Sequence, residues 1–506
     1  MKKGDLLELD IEGYAFEGKA ISRIGRESGD EKNFVVFVQN SYPGDKVKAK
    51  LIKIKKSFAE AKTTEIIFPS SERVEARCKY FGTCGGCKQQ DLSYEAQIKY
   101  KQQQVEEIFK KLGGFSDLSA DKAGKAGFEM LPIIPSKNTF FYRNKMEFSF
   151  SDKRWLTEDE ISKEKTDMYF ALGLHVPNIY DKVLDIDVCY LQSELSYRIL
   201  NFTRNFFKER NIQPYSTVTH SGFLRNLVIR QAYHTKDLMV NIVTANEDSA
   251  LIKSYANELI KSFPEITTIV NNINEKKSSV AVGDYENLLY GEGFITDMIG
   301  EYTFQISANS FFQTNTLQAE NLYKTALDFA EFKGDEIVYD LYSGAGTIAI
   351  YVSKFAKEVY AFESVESAIE DSKVNAELND INNVHFFNAD LYKSFLPLIE
   401  ENLPAGLSAD KAGKAGKIPK PSLVILDPPR SGLHKNTVED VIKINPEKIV
   451  YVSCNPATQA RDIKLFSEAG LSADKAGKAG YKLIKMRPVD MFPHTFHIEN
   501  VALLLK

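Results

Sequence analysis

The chain has 506 residues, 43% of them hydrophobic and 26% charged, with a formal net charge of −5. That length is too great for one hydrophobic core, so several domains are expected, and the mildly acidic balance excludes a protein that coats nucleic acid indiscriminately. No apolar run approaches the roughly 20 residues needed to cross a bilayer, and MKKGDLLELDIEG at the amino terminus lacks the apolar stretch of a signal peptide, so no membrane partner is expected.

Residues 1–68 contain the short β-type runs LLELDIEG, NFVVFVQN, DKVKAKLIKI and AKTTEII, separated by turn signals such as Pro43-Gly44-Asp45. This pattern predicts a small antiparallel barrel. From Lys46 to Lys56 the chain alternates lysine with apolar residues and contains no acid. Such a strand either has one solvated face or presents a basic face that tracks a phosphate backbone.

Residues 69–304 form a mixed α+β region with a helical stretch from Ser93 to Lys111 and the strand-like YRNKMEFSFS. From 305 to 506 strand and helix alternate through EIVYDLYSG, KEVYAFE, NVHFFNAD, SLVILDPP and KIVYVSC. That alternation is the mark of a doubly wound parallel sheet, making the whole chain a multidomain α/β protein. The decapeptide LSADKAGKAG occurs at 118–127, 407–416 and 471–480. Its irregular spacing excludes a solenoid, and its small polar residues predict exposed, catalytically silent insertions. Without the third copy, FSEAG runs into YKLIKMRPVD as a continuous helix, turn and strand.

Five cysteines in a chain this long make no disulfide framework, which predicts a reducing, cytoplasmic setting. Four of them share one pattern. Cys78, Cys84 and Cys87 lie on a tight loop whose Gly85 and Gly86 allow close backbone approach, and Cys189 must join them from another element. All-thiolate ligation fits zinc or an iron–sulfur cluster, and three clustered cysteines with one remote favour the cluster.

Asp340-Leu-Tyr-Ser-Gly344-Ala-Gly346-Thr347 follows a strand and opens a helix, so its backbone amides face a nucleotide crevice. Gly344, Gly346 and Ala349 also satisfy the dinucleotide pattern, which keeps NAD as a rival. Glu363 ends the next strand, where an acid can bind ribose hydroxyls, and Asp390 ends the third, near the place of a base edge. The acid at the start of the loop, Asp340, favours S-adenosylmethionine, whose sulfonium and amino group are cationic. Asp427-Pro-Pro-Arg430 and Ser453-Cys454-Asn455-Pro456 each follow an apolar run. A cysteine at the carboxyl end of such a strand stands where open α/β sheets place their chemistry, and can act as a nucleophile.

At this point CKYFGTCGGCKQQ, FYRNKMEFSF, SANSFFQTN, DLYSGAGTI, ILDPPRSGL, VSCNPATQARD and MFPHTFHIENV, in this order, closely resemble the RNA uracil-5 methyltransferase family. The resemblance implies a TRAM (OB-like) barrel over 1–68 with an RNA-binding lysine face, a central domain over 69–304, and a Rossmann-like class I methyltransferase domain over 305–506. It implies a 4Fe-4S cluster on Cys78, Cys84, Cys87 and Cys189, as in the rRNA-acting branch. It assigns Cys454 as nucleophile and Glu499 as base, with Gln313, Tyr342, Thr347, Glu363 and Asp427 around S-adenosyl-L-methionine. Ser343 and Thr347 stand where some relatives have Cys and Asn.

The implied reaction adds the Cys454 thiolate to carbon 6 of a uridine, methylates carbon 5, and then uses Glu499 to remove the carbon 5 proton. Asp427 and Arg430 would orient the uracil or the thiol, Phe311 or Phe312 could stack the extruded base, and His494 and His497 are expected to be structural. The implied partner is 23S rRNA, with no DNA partner and a monomeric enzyme. The alternatives are the same chemistry on the T-loop uridine of tRNA, or a non-catalytic RNA-binding ribosome-assembly protein. A nicotinamide oxidoreductase leaves Cys454 unexplained. An amino-directed methyltransferase has no need of it, and a cytosine-5 enzyme would place its cysteine straight after the proline of the strand-four motif.

Overall fold

The computed structural model describes residues 1–25, 34–117, 127–162, 167–277, 281–400, 417–469 and 480–506. The expectation that the LSADKAGKAG copies are exposed falls almost wholly outside these residues. On either side of the third copy stand the helix Pro456–Glu468 and the strand Lys482–Val489, in the order that its excision predicts.

The amino-terminal unit is one six-stranded sheet, in the order Leu6–Asp10, Lys46–Ile54, Phe58–Phe68, Phe34–Gln39, Lys19–Ile24, Gly13–Ala15. Val36, Val38, Val47, Ala49, Leu51, Ala59 and Ala61 form its core. In Lys46–Ile54 the period-2 alternation turns Val47, Ala49 and Leu51 inward and Lys46, Lys48 and Lys50 outward. Register places Lys48 opposite Glu8 on one side and Glu65 on the other, and Lys53 pairs with Glu60 at 3.2 Å. The lysine face therefore carries cross-strand acids that no single strand reveals.

The central unit is an eight-stranded sheet running from Arg154–Trp155 at one edge to Tyr285–Tyr290 at the other. The helices Glu194–Glu209 and Ser249–Ser262 pack through Phe206, Phe207 and Tyr255 against its Leu227, Ile229, Val240 and Ile242. Before it comes the helix Tyr94–Ile108, capped by Ser93, whose side chain accepts from the Ala96 amide at 3.3 Å.

The third sheet has nine strands in the order Val384–Asn388, Glu358–Glu363, Ile337–Leu341, Leu423–Leu426, Lys448–Ser453, Glu499–Leu505, Lys482–Val489, Gly127–Met130, Ser116–Asp117. The first five are parallel, as their apolar runs predict. The sixth, Glu499–Leu505, is not among the strands that the alternation names, and it runs antiparallel to both neighbours. The connection from Asp490 to Ile498 is shorter than the roughly dozen residues a parallel crossover requires. The last two strands come from a stretch assigned by sequence to the central region. Among the described residues no helix is long and apolar enough to cross a membrane.

Candidate active site

The carboxyl ends of the parallel strands and the start of Glu499–Leu505 meet at one edge of the third sheet. Pairing of Ser453 with Asn500 means that the next step along the antiparallel ladder sets Cys454 beside Glu499. Asp427 follows the neighbouring strand directly. Asn455 then fixes both loops: its side chain caps Pro456–Glu468 by accepting from the Ala457 amide at 3.1 Å, and its Nδ2 donates to the Arg430 carbonyl at 3.1 Å. The tetrapeptides that begin Asp427 and Ser453 are thereby tied together.

These surroundings shift the ionisation of each group. The half-buried Cys454 thiol is pushed up to about 12 by burial and then by the Glu499 and Asp427 carboxylates, against the pull of Arg430. Burial pushes Asp427 up to about 7. Glu499, only 5% exposed, is raised well above the usual carboxylate range by burial and by Asp427. Asp340 is fully buried and pushed up to about 8, again by burial and by Asp427. Neither Asp340 oxygen has a hydrogen-bond partner of normal geometry. Three acids thus share a site that protein donors leave largely unsatisfied, an arrangement suited to a cationic ligand.

The glycine loop is shaped as its sequence implies. Gly346 sits at φ +75° at the start of Thr347–Val352, and an added Cβ would come within 2.9 Å of both Phe386 and Ser372. Tyr342 also adopts a left-handed conformation, φ 67°, with its hydroxyl 3.2 Å from Thr437 Oγ1. Thr347 Oγ1 lies 2.8 Å from the hydroxyl of the buried Tyr323. Glu363 accepts from the amides of Gly344 at 3.0 Å, Ser364 at 2.7 Å and Val365 at 2.9 Å, which ties it to the glycine loop. Gln313 is buried on a loop whose carbonyls at Ala308 and Ser310 accept from the Arg230 guanidinium at 3.2 and 2.5 Å.

Asp390 follows the strand beside Glu363, where the Ala389 amide donates to the Glu363 carbonyl at 2.8 Å. It is exposed, lies 3.1 Å from the Lys393 ammonium, and is lowered chiefly by that contact. Phe312 is buried in the core, whereas Phe311 is 68% exposed. Tyr323, Arg230 and the buried Lys101 and Asp490 are supporting residues that sequence reasoning missed. Only a helical position marked Tyr323 beforehand, and its contact with Thr347 joins separate elements.

Cys78, Cys84, Cys87 and Cys189 line one small cavity, partly open to solvent. Gly85 lies against the backbone of His175: an added Cβ would come within 2.6 Å of the His175 carbonyl oxygen. The Gln90 amide donates to Cys87 Sγ at 3.1 Å and the Gly86 amide to Cys84 Sγ at 3.4 Å. Burial and the neighbouring thiols push Cys87 up to about 12 and Cys189 up to about 11. Among the described residues, no three His, Cys, Asp or Glu side chains are set to hold a single metal ion.

Comparison with known proteins places these features in a family. Residues 290–506 match the tRNA (uracil-5-)-methyltransferase model, and residues 2–64 match the TRAM domain. An uncharacterized RNA methyltransferase of Chlorobaculum tepidum is 39% identical over 507 residues, covering 99% of this chain and 96% of the relative. One from Bacteroides thetaiotaomicron is 40% identical, covering 97% of this chain and 99% of the relative. The crystal structure of Pyrococcus abyssi tRNA (uracil-54, C5)-methyltransferase with S-adenosyl-L-homocysteine is similar with a TM-score of 0.69 at 27% identity, covering 98% of this chain and 99% of that one.

Proposed function

The chain belongs to the S-adenosylmethionine-dependent uracil-5 RNA methyltransferase family, and on that premise we propose that it methylates carbon 5 of a uridine in 23S rRNA through a covalent bond from Cys454 to uracil carbon 6. The observation that carries the reading is the juxtaposition of Cys454 with Glu499 and Asp427 at the sheet edge.

Carbon 5 of uracil is a weak nucleophile. Addition of the Cys454 thiolate to carbon 6 turns the ring into an enolate that attacks an electrophilic methyl group. Arg430 and the start of the helix Pro456–Glu468 favour negative charge at the sulfur. Glu499 then takes the carbon 5 proton, the electron pair returns to the ring, and the thiolate leaves. A carboxylate held in a buried, acidic pocket is a strong base once ionised, which suits this step. Gln313, Tyr342, Thr347, Glu363 and Asp427 hold the donor, with Asp340 the unassigned carboxylate best placed to add to them. S-adenosylmethionine supplies the electrophilic methyl when bound. Asp390 remains a candidate for the base edge of the donor.

Cys78, Cys84, Cys87 and Cys189 are proposed to hold a 4Fe-4S cluster. The fit rests on four thiols around one cavity and on amide donors from Gln90 and Gly86 to sulfur. The cluster orders this unit when bound, and no step of methyl transfer passes through it.

A second reading, the same chemistry on a tRNA uridine, is favoured by the likeness to the archaeal tRNA enzyme. Methyl transfer from labelled donor to 23S rRNA and tRNA in parallel, with wild type and Cys454→Ala, tests both. Label in 23S rRNA that the variant loses is expected. Label in tRNA alone overturns the substrate, and activity surviving in the variant overturns the covalent mechanism.

A further inference from the structure

Beside the cysteine loop lies an arrangement that neither the fold nor the methyl-transfer site requires. The Arg77 guanidinium is exposed and lies 5.2 Å from the ring centroid of Phe140, 5.0 Å from that of Phe141 and 4.4 Å from that of Tyr190. Among the described residues Arg77 has neither an acidic partner nor a hydrogen bond, so all its donors are free. Tyr190 meets Phe141 edge-on at 6.1 Å and 82°, and Phe140 at 6.4 Å and 84°.

Phe141 itself is out of place as a structural residue. The residue is 41% exposed and its backbone sits at φ 55°, a region that L side chains enter at a cost of roughly 1–3 kcal/mol. Glycine or asparagine would relieve both penalties. The backbone is nevertheless pinned there: the Phe141 amide donates to the Tyr190 carbonyl at 2.8 Å, and the Arg143 amide to the Leu191 carbonyl at 2.9 Å. An aromatic face is therefore held open to solvent next to an unpaired cation.

We propose that Arg77, Phe141 and Tyr190 form a binding site for an unstacked nucleotide of the RNA substrate, its base laid on Phe141 and its phosphate on Arg77. Single-stranded RNA is gripped in this way, by stacking of splayed bases on rings and by a guanidinium fork on phosphate. The platform is joined to the candidate base. The Phe140 ring lies 4.3 Å from that of His494 at 33°, and Glu499 follows His494 by five positions, at most about 18 Å of extended chain. The held nucleotide is thus one that flanks the uridine presented to Cys454, within a few positions. The site rests on RNA being the substrate, and not on which RNA it is.

The test uses the full chain isolated without oxygen, in the absence of methyl donor, and a twelve-nucleotide oligouridylate carrying 4-thiouridine. In wild type, photocrosslinks are expected at Phe141 or Tyr190. Phe141→Ala and Arg77→Ala should each weaken binding of the oligonucleotide about tenfold or more. Phe141→Trp should stay within about threefold, with donor affinity and iron content unchanged throughout. Affinities within twofold of wild type in both alanine variants overturn the proposal, as do wild-type crosslinks confined to other residues or a wild type that does not bind the oligonucleotide. The crosslinks need no substitution, so they decide the matter even if a variant fails to fold. Failure to methylate 23S rRNA with crosslinks still at Phe141 or Tyr190 sinks the substrate assignment and leaves this site standing.

Discussion

Lys101 Nζ lies 2.6 Å from Asp490 Oδ1, and neither side chain has any exposed surface. The pair joins the helix Tyr94–Ile108 to the segment that leads into Glu499. Lys101 also donates to the Phe492 carbonyl at 3.1 Å, and the Tyr94 hydroxyl donates to Asp490 Oδ2 at 2.8 Å. A buried pair gains little net stability but is costly to halve, because the remaining charge is left in the interior. Lys101→Met alone should therefore destabilise the fold by about 3–5 kcal/mol. The double variant Lys101→Met/Asp490→Leu should recover much of that loss in denaturant unfolding. A single variant within about 1 kcal/mol of wild type would show that the pair is not desolvated as described.

The acid trio predicts a pH dependence of donor binding. Folded-state values near 8 for Asp340 and 7 for Asp427 exceed the roughly 3.9 of an unfolded aspartate. Across that window the free folded protein holds more protons than the unfolded chain, so these groups' contribution to stability is lost as pH rises toward 8. A cationic donor reverses the balance by favouring the ionised acids. Titration calorimetry should show affinity for S-adenosylmethionine increasing from pH 6 to 9, with protons released on binding below about pH 8. Affinity that does not change with pH would be incompatible with acids facing the donor.

Asp340→Asn separates binding from folding. With no partner of normal geometry on either carboxylate oxygen, the amide should be tolerated, and the free variant should be more stable than wild type at pH 9. Donor affinity should fall at least tenfold. Lost stability at pH 9 together with unchanged affinity would reassign Asp340 to the scaffold.

Glu499→Gln should stop the reaction after methyl transfer, because no base remains to release the carbon 5 proton. Turnover should fall by about 10²–10⁴, the usual range for a positioned base. A protein–RNA complex that survives denaturing electrophoresis should accumulate, and Cys454→Ala should abolish it. A variant that loses turnover without forming that complex would place Glu499 in binding rather than proton transfer.

The cysteine loop is tied to the same segment, since the amides of Lys88 and Gln89 both donate to the His494 carbonyl, at 2.8 and 3.1 Å. Protein isolated without oxygen should contain about four iron atoms per chain and an equal amount of sulfide, the content of the proposed cluster. Cys87→Ser should lose both. It should also expose residues 78–91 and 490–497 to limited proteolysis together, because these hydrogen bonds link them. Protection of the second segment in cluster-free protein would uncouple the two.

Much of this was open to reading along the chain. The five parallel strands are short apolar runs, so their burial on both faces is written locally. The cysteine pattern and glycine loop are likewise local, as are the tetrapeptides containing Asp427 and Cys454, because backbone turns and ligand spacing depend on near neighbours. Other features needed the folded chain. Lys101 and Asp490 are separated by 389 positions, and no periodicity announces that a helical lysine will lose all contact with water. Glu499 meets Cys454 only because the last strand turns back antiparallel, and the lysine face of Lys46–Ile54 acquires Glu8 and Glu65 only through register. The physical divide is between short-range preference, which a residue carries with it, and desolvated contact between distant segments. Such contact exists only once the loops between those segments have closed.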